Sequence, residues 1–330
     1  RAMRDSGVEQ GFQAETWQAM VDMGWTGIIV PEQYGGSDLG YLTFGIVLEE
    51  TGKHLTASPL LASALVGASA LLLGGTEAQK QAWLPKVVDG SEILTLAVDE
   101  GPRHAPNVIA LRAEKTADGF SLTGRKTMVL EGGAATTLIV ATRTSGSAGD
   151  AGGITVFLLP ADTAGISRQV LKTADSRGYA NIDFEGVIVG EDAILGELDQ
   201  GAGLLTDILD RGRAGLAAEM LGTAAQAFAM NLDYLKTRVQ FGQVIGAFQA
   251  LGHRAAILFS EMELARSCVE AALQGIDGEV PSQAQLCSLS KCQAGAFLHH
   301  MSNELIQIHG GIGMTDDFDA GFYLKRARAV

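Results

Sequence analysis

Trp17, Met20 and Val21 stand at i, i+3 and i+4, the spacing that places apolar side chains on one face of a helix. A similar period runs through residues 42–51 and 60–73. In "GTEAQKQAWLPKVVDG", Thr76-x-x-Gln79 has the form of a capping box and predicts a further short helix, constrained by Pro85 and ended by Asp89-Gly90. The pattern changes near Ser91. "ILTLAV", "VIALRAEK", "FSLTGRK", "TLIVATR", "ITVFLLP" and "NIDFEGVIV" are short segments rich in branched residues and separated by turn formers. Ile182 and Phe184 alternate with Asp183 and Glu185, the period of a half-buried strand. "TSGSAGDAGG" reads as a flexible surface loop between two of these strands. From Leu204 the helical period returns over residues 204–238, 248–276 and 283–308, with a last run from about 320. The order predicts an α and β multidomain chain: an N-terminal helical domain (1–90), a middle antiparallel β domain, closed or sandwich-like (91–200), and a C-terminal four-helix bundle (201–330).

Composition narrows the function. The chain has 330 residues, of which 47% are hydrophobic, enough for more than one core. A formal net charge of −14 offers no broad basic field, which argues against nucleic acid or an anionic membrane as partner but leaves room for an anionic small molecule held by a few local cations. Cys268, Cys287 and Cys292 are odd in number and lack paired spacing, the usage of a reducing compartment, so a cytoplasmic location is expected. The six histidines include no HExxH, and no metal site is expected. No apolar run reaches membrane-spanning length. A Rossmann fingerprint, a P-loop and a serine elbow are absent.

Two stretches stand out. In "RVQFGQVIGAFQALGHRAA", Arg238 ends a helix, and the chain turns on Gly242 and Gly246 before the next one begins. An arginine, an aromatic ring and exposed amides at such a turn suit a phosphate and a flat ring; a plain helix connection with a packed Phe241 is the alternative. In "IQIHGGIGMTDDFD", Gly310, Gly311 and Gly313 break a long helix. A helix C-cap needs one glycine, so three suggest close approach of something to bare backbone.

These stretches resemble the acyl-CoA dehydrogenase family, whose flavin-contacting turn has the form Arg-x-x-Phe-Gly followed by Phe-Gln and whose Gln-x-x-Gly-Gly segment is similar to "IQIHGGIGMT". "GWTGIIVPEQYGG" and the capping-box stretch resemble the family's N-terminal helical domain, and "NIDFEGVIVGEDAILGE" its exit from the β domain. The resemblance implies FAD as cofactor, an acyl-CoA thioester as substrate, a homo- or hetero-tetramer, and an electron-transferring flavoprotein or similar acceptor. It assigns FAD contacts to Arg238, Gln240, Phe241, Phe248, Gln249, Gln307, Gly310 and Gly311, serving the flavin of a neighbouring subunit, with Thr315 beside the adenine end. Thr315 read without the resemblance is an N-cap for the last helix.

The sequence also departs from the family. In the part of the β domain that faces the flavin in this family, where a Thr-Glu-Pro-Gly-type segment is usual, this chain has "VDEGPRHAP"; where the family's second flavin contact, of Trp-Ile-Thr type, follows, it has Met128, Val129 and Leu130, without the hydroxyl. One subset of the family places its catalytic glutamate before an arginine that matches Arg213, but Gly212 precedes it here. Most other members place it shortly beyond the last segment present. Glu219, Asp316 and Asp317 are nearby carboxylates that read better as helix-face or capping groups, so no catalytic residue is assigned. The expected activity is α,β-desaturation of an acyl-CoA; the alternatives are a half-site subunit completing a partner's FAD site and a flavin-free scaffold.

Overall fold

The computed structural model describes residues 4, 5 and 10–330. Helices α1 (Ala14–Asp22), α2 (Gly40–Lys53), a π-helix (Leu60–Gly67) running into α3 (Ala68–Gly74), and α4 (Glu77–Val88) come first. Strands β1 (Leu94–Ala97), β2 (Arg112–Thr116), β3 (Gly119–Leu130), β4 (Thr137–Arg143), β5 (Ile154–Pro160), β6 (Ile166–Leu171), β7 (Tyr179–Val189) and β8 (Ile194–Leu195) follow. Helix α5 (Gly201–Thr237), strands β9 (Val239–Gln240) and β10 (Gln243–Val244), and helices α6 (Gln249–Asp277), α7 (Gln283–His309) and α8 (Ala320–Ala329) complete the order. Helical, then β, then helical segments succeed one another as the periodicity predicts. Packing divides them into two compact units, one running to Gly40 with Ala57–Gly212, the other Tyr41–Thr56 with Arg213–Val330.

In the first unit, α1 buries Trp17 and Met20. The π-helix is apolar nearly all round and is accordingly buried; its Ser63 hydroxyl accepts the Leu94 amide at 3.0 Å, tying it to β1. The capping box of α4 forms as predicted: Thr76 Oγ1 accepts from the Gln79 amide at 3.3 Å, and Gln79 Oε1 from the Thr76 amide at 2.8 Å. The sheet runs β6-β7-β3-β2-β4-β5-β8, with β1 joined to β4. Its ladders are antiparallel except where β1, and one residue pair of β2, meet β4 in parallel. Ile182 and Phe184 point into its core with Phe120, Phe157 and Leu122, while Asp183 and Glu185 do not.

The second unit is a helical bundle. Asp277 accepts the Tyr41 and Leu42 amides at 2.7 and 2.9 Å, capping the start of α2. Helices α2 and α5 cross closely at two glycines: a Cβ on Gly222 would stand 1.8 Å from the Glu49 carbonyl oxygen, and one on Gly52 2.1 Å from that of Glu219. Arg254 of α6 grips Glu304 of α7 through two 2.6 Å bonds. Among the described residues, no helix is long and apolar enough to cross a membrane.

Candidate functional site: two turns of the helical bundle

Helix α5 ends at Thr237, and the Arg238 amide still bonds Tyr234 O at 2.9 Å. The chain then makes a two-stranded hairpin in which Gln240 faces Gln243. Its two connecting residues, Phe241 and Gly242, both have positive φ (54° and 81°), the signature of a type I′ turn. Glycine or asparagine is usual there; an aromatic residue in the left-handed region is strained. Phe241 is nonetheless 90% exposed, so burial among the described residues does little to repay the strain. Its ring meets Phe248 edge-on at 6.1 Å. Phe248 sits at the N-cap of α6 and Gln249 is its first residue; the Phe248 carbonyl accepts the Leu251 and Gly252 amides at 3.0 and 3.2 Å, and no side chain caps the start of this 29-residue helix. The exposed Arg238 side chain has no hydrogen bond or ion pair with a described residue, and the Gln240 amide only folds back on Val239 O at 2.8 Å.

The second turn ends α7. Gly310 adopts φ 61°, ψ −136°, a conformation reserved for glycine. Gly313 is also needed by the fold, since a Cβ there would come within 3.0 Å of His309 Cβ and Ile306 O. Gly311 is different: its φ is ordinary and a Cβ would meet nothing within 4 Å. The fold alone therefore leaves this glycine unexplained. Gln307, Gly310 and Gly311 are exposed. Thr315 bonds Ile312 O at 2.8 Å as part of the short 3₁₀ turn, and does not cap the last helix, whose N-cap is Asp319.

The two turns are joined by a ring stack that the sequence reading missed. His309 lies between Tyr234 of α5 and Phe318, with ring centroids at 4.2 and 4.4 Å. Burial pushes its imidazole below the ordinary value. A cavity of about 180 Å³ opens beside the second turn, lined by Met314, Thr315, Phe318, Phe322 and Lys325 among others.

In the first unit, "VDEGPRHAP" and "MVLEGG" lie side by side: the Thr127 amide bonds Asp99 O at 2.7 Å, and its hydroxyl Gly101 O at 3.0 Å. The register of β3 against β7 shifts between Lys126 and Val129, and Met128 within this bulge has φ 51° and is half exposed. Val129 is buried, Leu130 offers no donor side chain, and its carbonyl is taken by Thr95 Oγ1. Fully buried Lys126 donates to Val98 O at 2.8 Å and Glu100 Oε1 at 2.6 Å; burial brings its ammonium down to about 8, with Glu100 opposing. The Asp99 carboxylate holds His104 Nδ1 at 2.9 Å and the Ala105 amide at 3.0 Å; despite partial burial these bonds keep it below the usual carboxylate range.

The carboxylates weighed as a base are accounted for in part. Glu219 is buried and paired with Arg326 at 2.9 Å, so it is a structural ion pair between α5 and α8. Asp316 and Asp317 are exposed. Gly212 carries no side chain; a Cβ there would meet Val66 Cγ2 at 3.3 Å. No group of three potential metal ligands occurs among the described residues.

The sequence matches the family descriptions "Acyl-CoA dehydrogenase, N-terminal domain" over residues 2–91 and "Acyl-CoA dehydrogenase, C-terminal domain" over residues 199–330. It is 32% identical over 320 residues to the mitochondrial 2-methylacyl-CoA dehydrogenase of Solanum tuberosum, covering 94% of this chain and 77% of that protein. Its fold matches butyryl-CoA dehydrogenase from Megasphaera elsdenii with a TM-score of 0.90 at 28% identity, over 97% of this chain and 86% of the other. The ChsE4-ChsE5 complex from Mycobacterium tuberculosis matches with a TM-score of 0.88 at 27% identity, over 98% of this chain and 84% of that one. The chain belongs to the acyl-CoA dehydrogenase family.

Proposed function

We propose that this chain binds FAD and takes part in α,β-desaturation of an acyl-CoA thioester, with Arg238, Gln240, Phe241, Phe248, Gln249, Gln307, Gly310, Gly311 and Thr315 lining the cofactor's site. The observation that carries the reading is the pair of turns. An uncommitted guanidinium, the uncapped start of α6 and a glycine that the fold does not require are the groups a diphosphate needs, and exposed Phe241 is a surface for a flat ring. Segments 1–90, 91–200 and 201–330 act as the helical, β and bundle domains, in an oligomer where the turns of one subunit reach its neighbour's cofactor. An electron-transferring flavoprotein is the acceptor class that suits the reaction.

A bound flavin supplies hydride acceptance from the β-carbon, paired with loss of the α-proton to a base and formation of the α,β-double bond. This chain's residues hold the cofactor's charge and orient it. Arg238→Ala is expected to weaken FAD binding about ten- to hundred-fold, the effect of losing a charge-assisted contact of about 1.5–3 kcal/mol, with Arg238→Lys recovering part. FAD titration of deflavinated protein measures this. Anaerobic addition of a panel of acyl-CoAs then tests the chemistry: bleaching of one FAD per chain supports the reading. Bleaching only after co-expression with a homologous partner makes the chain half of a two-component assembly, and an Arg238→Ala variant with unchanged affinity removes the site.

A further inference from the structure

We infer that His309 is a positioning residue, a slab between Tyr234 and Phe318 that sets the glycine turn in register with the Arg238 turn; the inference rests on the site reading above. The imidazole is only 3% exposed. Nδ1 lies 2.8 Å from Leu305 O, which can only accept, so Nδ1 carries the proton and Nε2 is a lone-pair acceptor. Nε2 is buried and has no hydrogen-bond partner among the described residues. A buried acceptor left unmade is unfavourable, and a phenyl ring would fill the same slot without it. The histidine is thus seated by shape and by its one bond to the helix, which fixes the ring's direction.

Each face of the ring serves a different turn. On one side it packs on Tyr234, with ring planes at 29°, and the Tyr234 hydroxyl reaches the His309 carbonyl at 3.5 Å. The Tyr234 carbonyl receives the Arg238 amide, so the residue that carries this ring also anchors the root of the first turn. On the other side Phe318 closes the stack with ring planes at 31°. His309 itself is the residue before Gly310, and its Cβ is the atom against which Gly313 folds. The stack joins residues 75 positions apart in the chain and bridges the two segments whose amides and guanidinium must converge on one ligand. With three glycines in four positions the second turn has little rigidity of its own, and the stack supplies it.

The test is a double-mutant cycle on FAD affinity, read by fluorescence on folded, deflavinated protein well below its melting temperature. His309→Ala and Tyr234→Ala are each expected to raise the FAD Kd about tenfold, and the double variant to do little more than either, because both remove one coupling. His309→Phe keeps the slab and is expected to bind FAD within about threefold of the parent, a rescue that loss of the imidazole's chemistry does not allow. Amide hydrogen exchange over residues 310–315 is expected to speed up in His309→Ala and not in His309→Phe. Arg238→Ala serves as the control. If Arg238→Ala weakens binding while His309→Ala does not, or if the single effects add, the positioning role is overturned alone. If the parent fails to bind FAD, or Arg238→Ala leaves Kd unchanged, the site reading falls and this inference with it.

Discussion

At the scale of single residues, glycines divide by what the fold demands of them. Gly310 is required by its backbone angles and Gly313 by contact with the preceding turn, but Gly311 by neither. Gly311→Ala is therefore expected to leave the melting temperature within about 1 °C, since an exposed alanine in an open position costs little, while reducing FAD affinity if an anion lies against that backbone. Differential scanning fluorimetry and FAD titration separate the two effects. His309 gives a pH dependence of known sign. Burial holds its native-state pKa below that of the unfolded chain, about 6.5. Its contribution to stability is complete above that value. As pH falls below about 6.5, the unfolded state takes up a proton that the native state refuses, and stability drops until the native pKa is passed. The difference in melting temperature between parent and His309→Phe is thus expected to shift in favour of the variant on going from pH 7.5 to 5, and a difference independent of pH would contradict it.

At the scale of elements, sequence legibility follows the range of the forces involved. Helix periods, the Thr76–Gln79 box and the alternation of Ile182 and Phe184 are local, and each is found where the pattern places it. Strand β6 escapes because "ISRQVL" is an edge strand whose middle four residues are exposed, so no apolar alternation marks it. The parallel pairing of β1 with β4 is also illegible, being set by residues some forty positions apart. The site divides likewise. Arg238 and the glycine run are contiguous motifs, whereas the His309 stack takes its partners from α5 and from the segment after the turn. The crossing of α2 and α5 is a third long-range feature, and it yields paired outcomes. Gly222→Ala drives a Cβ into the Glu49 carbonyl, where only backbone can move, and is expected to cost about 1–3 kcal/mol or more in urea denaturation. Gly295→Ala in α7 meets nothing nearer than Met220 Cε at 3.5 Å, and is expected to gain about 0.5–1 kcal/mol from helix propensity. Equal effects at both positions would refute the close-crossing explanation.

At the scale of the whole molecule, the proposed site raises the question of whose cofactor the two turns would hold. Phe241, at 90% exposed and in a strained conformation, is poorly explained by an isolated chain, as is an arginine with no partner among the described residues. Both make sense if the turns are offered across a subunit interface. The β-sheet face around Met128 would then meet the subunit's own flavin, and each site would draw on two chains. Take Arg238→Ala, which spoils the lending turn, and Met128→Asp, which puts a carboxylate on the half-exposed bulge of β3. Each variant alone spoils every site of a homo-oligomer. A hybrid of the two keeps one intact site per pair, built from the sheet of the Arg238→Ala chain and the turns of the Met128→Asp chain, and concentrates both lesions in the other. Co-expressed with different tags and purified through both, the hybrid is expected to hold about half the FAD per chain of the parent, while either variant alone holds little. Were the turns to serve the cofactor of their own chain, each chain of the hybrid would carry one lesion in its own site, and the occupancy would not rise above that of the single variants.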